Sequence, residues 1–161
     1  MNINIIQALI VAVFSFGSAI FYSLSCIERP VLGLWLKPNK TLENDDLIRF
    51  VHKELKKLIP LLPPSNGFVI FFGMLSMIAQ CILTNLSYFS LVIILFYTTS
   101  MLHIIIIGGI NSAINEVKNI DSNGDITSVK SGLKRLIKLH HQGLFANAFT
   151  VILQFTYLII N

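Results

Sequence analysis

Four apolar runs alternate with two short charged segments along this chain. Runs 5–27, 58–83, 86–110 and 139–160 contain no Asp, Glu, Lys or Arg. At about 1.5 Å rise per residue, each can cross the roughly 30 Å core of a bilayer. Lipid offers no partners to backbone amides, so every run is predicted to be helical. The fold class expected is all-α: a four-helix transmembrane bundle forming one domain, with segments 28–57 and 111–138 outside the membrane. The first run has neither a basic leader nor a small-residue cleavage site, so it is expected to be a retained span rather than a signal peptide.

Composition agrees with the pattern. Of 161 residues, 54% are hydrophobic and only 12% charged, where soluble domains carry about a quarter charged. All 12 Lys and Arg fall in the connections after the first and third runs. The connection after the second, at 84–87, is uncharged, as are both chain ends. Basic residues in short loops are retained in the cytoplasm. Both charged segments are therefore expected to be cytoplasmic, with both termini on the far side of a bacterial cytoplasmic (inner) membrane. The net charge of +4 does not indicate nucleic acid, because the bases are interleaved with acids and topology accounts for them. Cys26 and Cys81 close successive spans at opposite faces, too far apart for a disulfide. No Cys-x-x-Cys pair suggests dithiol chemistry.

The charged segments carry helices of their own. Asn44 or Asp45 can cap a helix in which Leu47, Val51, Leu55 and Leu58 recur on one face, with Arg49, Lys53, Lys56 and Lys57 towards the other. Such a helix either lies on the lipid surface or caps the bundle. Trp35, before Lys37-Pro38-Asn39, has the position of an interfacial anchor. Asp121-Ser122-Asn123-Gly124-Asp125 lacks the later ligands of a calcium loop and reads as a turn. Asp125 or Thr127 then caps a helix predicted to run without a stop into the fourth span. Its length would be about 35 residues, or about 50 Å.

Polar side chains inside the spans are costly and mark candidate sites. Glu28-Arg29-Pro30 closes the first span, either as an interfacial ion pair or as a carboxylate at the mouth of a cavity. Tyr22 lies little more than a turn earlier. Ser65 and Asn66 open the second span, behind Pro63-Pro64. His103 is near the charged end of the third, and Asn111 just follows it. His140 and His141 begin the fourth; neighbours on a helix point about 100° apart, so at most one faces the bundle axis. Asn147, seven residues on, shares the face of His140. All of these fall in the half of the bundle next to the charged segments. The other half has Gln80, Gln154 and Tyr157 but no carboxylate or imidazole. Convergent polar groups in an apolar bundle define the default pocket.

The first span with its ending, from Gly17-Ser18-Ala19-Ile20-Phe21-Tyr22 through Glu28-Arg29-Pro30, resembles the anthrone oxygenase-like family of small four-helix membrane proteins. The aliphatic run from Ile104 to Asn111 is similar to that family's third-helix ending, and Leu136 to His140 to its fourth-helix entry. Glu28, Pro30, Asn111 and His140 match the family pattern. Arg29 replaces its His, Leu32 its Arg and glycine the Pro before Asn111, and the Trp and Arg around His140 are missing. The resemblance implies oxidation of a flat aromatic substrate by molecular oxygen, without a classical cofactor.

Three function classes follow. In the first, a membrane oxidoreductase binds a lipophilic aromatic or quinone-like molecule. Glu28 or His140 is then the base, His103 and Asn111 stabilise the oxyanion, and Tyr22, Asn66 and His141 line the pocket. In the second, a non-enzymatic bundle binds membrane lipid, or assembles with a second copy or a larger membrane partner. In the third, His103 with His140 or His141 ligates a haem; no Glu-x-x-His pair in the spans suggests a di-iron centre.

Overall fold

The computed structural model describes residues 3–36 and 44–160. Met1, Asn2, Asn161 and the Lys37-Pro38-Asn39 run lie outside them. The described elements are α1 (Ile3–Glu28), α2 (Gly33–Leu36), α3 (Asp45–Leu58), α4 (Leu62–Leu83), α5 (Tyr88–Leu102), α6 (Ile110–Asn119) and α7 (Ile126–Ile160). A 3₁₀ turn at Arg29–Val31 extends α1, and a π-helical turn at His103–Ile107 extends α5. With these extensions, α1, α4, α5 and α7 are long and apolar enough to cross a membrane. The chain is an all-α membrane protein.

α1 packs between α4 and α7, and α5 completes the ring against the same two helices. The spans bury Ile10, Val13, Phe14, Val69, Met77, Ile93 and Tyr97 between them. Their outward faces carry exposed Phe16, Phe71, Ile78, Leu95, Phe145 and Ile152, as a lipid-facing surface requires, since lipid solvates apolar groups as well as a core does. Close approach of α1 and α7 depends on Gly17: a Cβ there would come within 2.5 Å of Asn147 Oδ1 and 2.9 Å of Val69 Cγ1.

A second layer covers the charged end. It consists of α3, α6 and the first turns of α7, around Ile48, Val51, Leu55, Val117, Val129, Leu133, Leu136 and Ile137. The position of α3 is thereby fixed: it caps the bundle. Arg49, His52 and Lys56 share a face and grip the connection between α6 and α7. Arg49 Nη1 donates to the carbonyls of Ser122 (2.7 Å) and Gly124 (2.8 Å). Lys56 Nζ donates to that of Ile120 at 2.9 Å, and His52 Nδ1 meets Ser122 Oγ at 2.8 Å. Burial, aided by the nearby Lys56 charge, pushes the His52 pKa down from its ordinary value.

Local signals set the helix ends. Asn44 Oδ1 accepts from the Leu47 amide and caps α3. Asp125 Oδ2 accepts from the Ser128 amide and hydroxyl at the start of α7, which holds the Asp125 carboxyl below the usual carboxylate range. The 121–125 run is a turn, closed by Gly124 N–H to the Asp121 carbonyl at 3.0 Å. α7 has 35 residues, so it spans about 50 Å and serves both layers. Gly109 adopts φ +62° and ends the third span. The Arg135 guanidinium donates to the carbonyls of Gly108 (3.1 Å) and Gly109 (3.4 Å) there, satisfying groups that a helix end leaves open.

Candidate functional site

Glu28 is the last residue of α1 and has no solvent exposure. The 3₁₀ turn, with Pro30 in it, ends the helix at that point and keeps the carboxylate under the outer layer. His140 of α7 meets it: imidazole Nδ1 is hydrogen bonded to Glu28 Oε1. The ring is 3% exposed, with Phe21 beside it at 6.1 Å between centroids. A buried charge is tolerable only when paired, and this contact supplies the pairing. His141 points elsewhere. Its Nδ1 donates to the Ile137 carbonyl at 2.9 Å and lies 3.9 Å from the second Glu28 oxygen, Oε2. That oxygen is buried and makes no hydrogen bond.

The two imidazoles face two different spaces. His140 lines an inner cavity of about 90 Å³ between α1, α4, α5, α6 and α7. Most of its wall is apolar, including Val69, Met101, Ile104 and Leu139. Three polar atoms in that wall are buried without a partner: Asn66 Oδ1, Tyr97 Oη and Asn147 Oδ1. Buried polar groups are nearly always satisfied, so three orphans around one cavity next to an imidazole point to a ligand or ordered water. Ile70 and the partly exposed Ile105 form its edge between α4 and α5.

His141 lines an outer cleft of about 530 Å³ between α5 and α7, together with Trp35, Thr99, Ser100, His103, Gln142 and Phe145. Trp35 packs on the His141 ring at 5.0 Å. Ile104 separates the cleft from the inner cavity and lines both.

Of the residues singled out in the sequence, His140 and Asn66 line the inner cavity with Glu28 behind His140, and His103 and His141 share the outer cleft. Tyr22 and Asn111 join neither. Tyr22 is 64% exposed; six residues before Glu28, it points about 120° away from it on the helix. Asn111 is exposed on α6, because the left-handed Gly109 turns the chain away from the bundle there. Tyr97 is the wall residue that the sequence reading omitted. Its signal was available: Ile93, Tyr97 and Ile104 recur on one face of the third span, and a hydroxyl on a buried face needs a partner.

A second polar cluster occupies the opposite end of the bundle. Gln80 and Gln154 exchange side-chain amide hydrogen bonds at 3.3 and 2.9 Å. Gln80 also donates to Ser90 Oγ at 3.3 Å, and Ser90 meets Thr84 and Ser87 at 3.1 and 2.9 Å. Neutral and mutually satisfied, it joins α4, α5 and α7.

Among the described residues, no group of three or more His, Cys, Asp or Glu side chains is placed to hold a metal ion. Compared with protein-family models, curated proteins and solved structures, the chain shows no match.

Proposed function

We propose that this membrane protein binds a lipophilic phenol- or quinone-like molecule in the inner cavity and removes an acidic proton from it. The observation that carries this reading is the buried Glu28–His140 pair opening on a cavity with three unpartnered polar atoms. A carboxylate bonded to Nδ1 holds the proton on that nitrogen and leaves the Nε2 lone pair as the basic position of the ring. His140 is then the base and Glu28 the positioning group. Proton transfer makes an imidazolium beside a carboxylate, a pairing that the low-dielectric surroundings favour over separated charges. The Tyr97 hydroxyl donates to the developing oxyanion, and the Asn66 and Asn147 oxygens accept from hydroxyls of the ligand or of water.

At about 90 Å³ the space is smaller than the roughly 150 Å³ cavity that holds a benzene, so it takes the hydroxyl or carbonyl head and the leading edge of a ring. The rest of a larger molecule extends past Ile70 and Ile105 into the lipid. If the substrate is an anthrone-like carbon acid, the carbanion reacts with dioxygen. One CH₂ becomes C=O, and the other oxygen atom leaves as water. Positive residues in the two charged connections support a cytoplasmic position for this end, in a bacterial plasma membrane, with both termini opposite.

The test uses a lipophilic nitrophenol titrated into the protein in lipid nanodiscs. The bound probe should show phenolate absorbance at a pH where the free probe in empty nanodiscs is neutral, and His140→Gln should abolish that shift. Equal absorbance in the variant would overturn the assignment of the base.

A non-enzymatic reading draws on a groove of about 490 Å³ between the end of α1 and α3. Cys26, Ile27, Pro30, Phe50 and Leu58 line it, with Lys57 at the rim. An acyl chain would fit this lining, with an anionic headgroup taking Lys57 from Glu54, its partner at 2.6 Å in the same lining. Native mass spectrometry with anionic against zwitterionic lipid tests it; equal retention of both would count against it.

A further inference from the structure

Glu28 has two oxygens, and only one is satisfied. Oε1 is bonded to His140, which faces the enclosed cavity. Oε2 is fully buried with no hydrogen bond, and His141 Nδ1 lies 3.9 Å from it. His141 belongs to the outer cleft. Leaving a buried carboxylate oxygen bare is costly, because its lost hydration is not replaced. A short movement of the His141 ring would relieve it, at the expense of the Nδ1 bond to the Ile137 carbonyl. The carboxylate thus has one imidazole on each side, one reaching the closed cavity and one the open cleft.

We infer that Glu28 is the shared centre of a proton relay joining the two spaces, with His141 as its outer terminus. The inference rests on His140 being the base of the inner cavity. In the outward direction, a ligand O–H or C–H proton goes to His140 Nε2. The Nδ1 proton of that imidazolium goes to Glu28, giving a neutral carboxyl group. The carboxyl proton passes to Nδ1 of His141 in the tautomer protonated at Nε2. His141 then releases its Nε2 proton to water in the cleft and turns its new Nδ1–H to the Ile137 carbonyl, the arrangement seen here. One proton crosses from cavity to cleft once the neutral carboxyl turns to carry it from the Oε1 side to the Oε2 side, and a flip of both rings restores the starting tautomers; no bond other than to hydrogen changes and no electrons are transferred.

The surroundings suit a release site. Besides Glu28 from α1, the titratable group facing His141 across the cleft is His103 of the π-helical turn. Lys138, one turn earlier on α7, lines the adjoining recess with Arg135, His103 and Gln142. Trp35 covers one side of the ring and leaves the cleft side open.

The decisive experiment needs no ligand. Protein labelled with ¹⁵N-histidine in nanodiscs is titrated by NMR, and the ring-nitrogen shifts of His140 and His141 are followed in wild type, His141→Gln, His140→Gln and Glu28→Gln. Groups sharing one carboxylate titrate as a coupled set. Removing either imidazole should therefore change the titration curve of the other, and Glu28→Gln should uncouple the two. Unchanged His140 shifts in His141→Gln would overturn the relay. That variant alters a cleft-lining residue, so it keeps the test decisive even if Glu28→Gln does not fold. A nitrophenol that fails to bind while the coupling is present removes the base assignment and with it the relay's inner proton source, leaving only the shared carboxylate; binding without coupling removes the relay alone.

Discussion

The two ends of the bundle solve the same problem in opposite ways. Each buries polar side chains among apolar helices. At the uncharged end, Gln80, Gln154, Ser90, Thr84 and Ser87 satisfy one another in a closed neutral network. At the charged end, an ionisable carboxylate and imidazole are paired, yet one Glu28 oxygen and three atoms of the adjoining cavity wall have no partner. A completed network ties helices together and has no use for a visitor. An incomplete one beside a cavity has capacity left for a ligand. Polarity inside a membrane is therefore a poor marker of function by itself; the unfilled hydrogen-bonding positions distinguish the two ends.

The largest effect expected falls on chemistry at the charged end. His140→Gln should slow proton abstraction from a bound carbon acid or phenol by about 10²–10⁴, the range for loss of a general base, as read by stopped-flow absorbance. The Gln80→Leu/Gln154→Leu double variant should leave that rate unchanged. Next comes stability at the uncharged end. Gln154→Leu alone strands the Gln80 amide and should cost about 1 kcal/mol. The double variant should recover most of the loss, because neither amide is then left without a partner.

A close-packing change gives an effect of similar size near the site. Gly17→Ala would press a methyl group against Asn147 and Val69 and should destabilise the bundle by about 1–3 kcal/mol while perturbing nitrophenol binding. The equivalent loss of stability from Gln154→Leu should leave binding intact, so the pair separates damage to the bundle from damage to the cavity.

The smallest effect concerns the covering layer. His52 is buried and its pKa is depressed below the ordinary 6.5. The docked state therefore binds fewer protons than the undocked one. Docking stability is fully present above pH 6.5 and is lost as the pH falls towards the depressed value. Hydrogen exchange of α3 should accelerate in acid in wild type, and much less so in His52→Gln.

The membrane-crossing architecture could be read from the sequence because it rests on run length and the cost of open backbone in lipid. The uninterrupted α7 followed from the lack of any breaker between Asp125 and the end of the fourth run. Rotation of each helix about its axis was harder. Tyr22 and Glu28 are six residues apart in one apolar helix, and the pattern alone does not say which points inward. The π-helical turn at His103–Ile107 has no sequence signature in a run of four isoleucines, yet it and Gly109 decide that Asn111 leaves the bundle and His103 faces the cleft. The α3 face carrying Arg49, His52 and Lys56 looked like a polar surface because its partners are backbone carbonyls, which no residue pattern reveals. The pairing of Glu28 with His140 spans 112 positions and depends on the register of α1 against α7, set by close contacts such as Gly17 with Asn147.

The contrast between the two ends is tested most directly by one probe titration in nanodiscs. A lipophilic nitrophenol is added to wild type, His140→Gln and Gln80→Leu/Gln154→Leu, and bound phenolate is measured by absorbance. Wild type and the glutamine double variant should bind the phenolate alike, and His140→Gln should hold the probe only in its neutral form. The same phenolate signal in His140→Gln as in wild type, or its loss in the double variant alone, would contradict the assignment of function to the charged end.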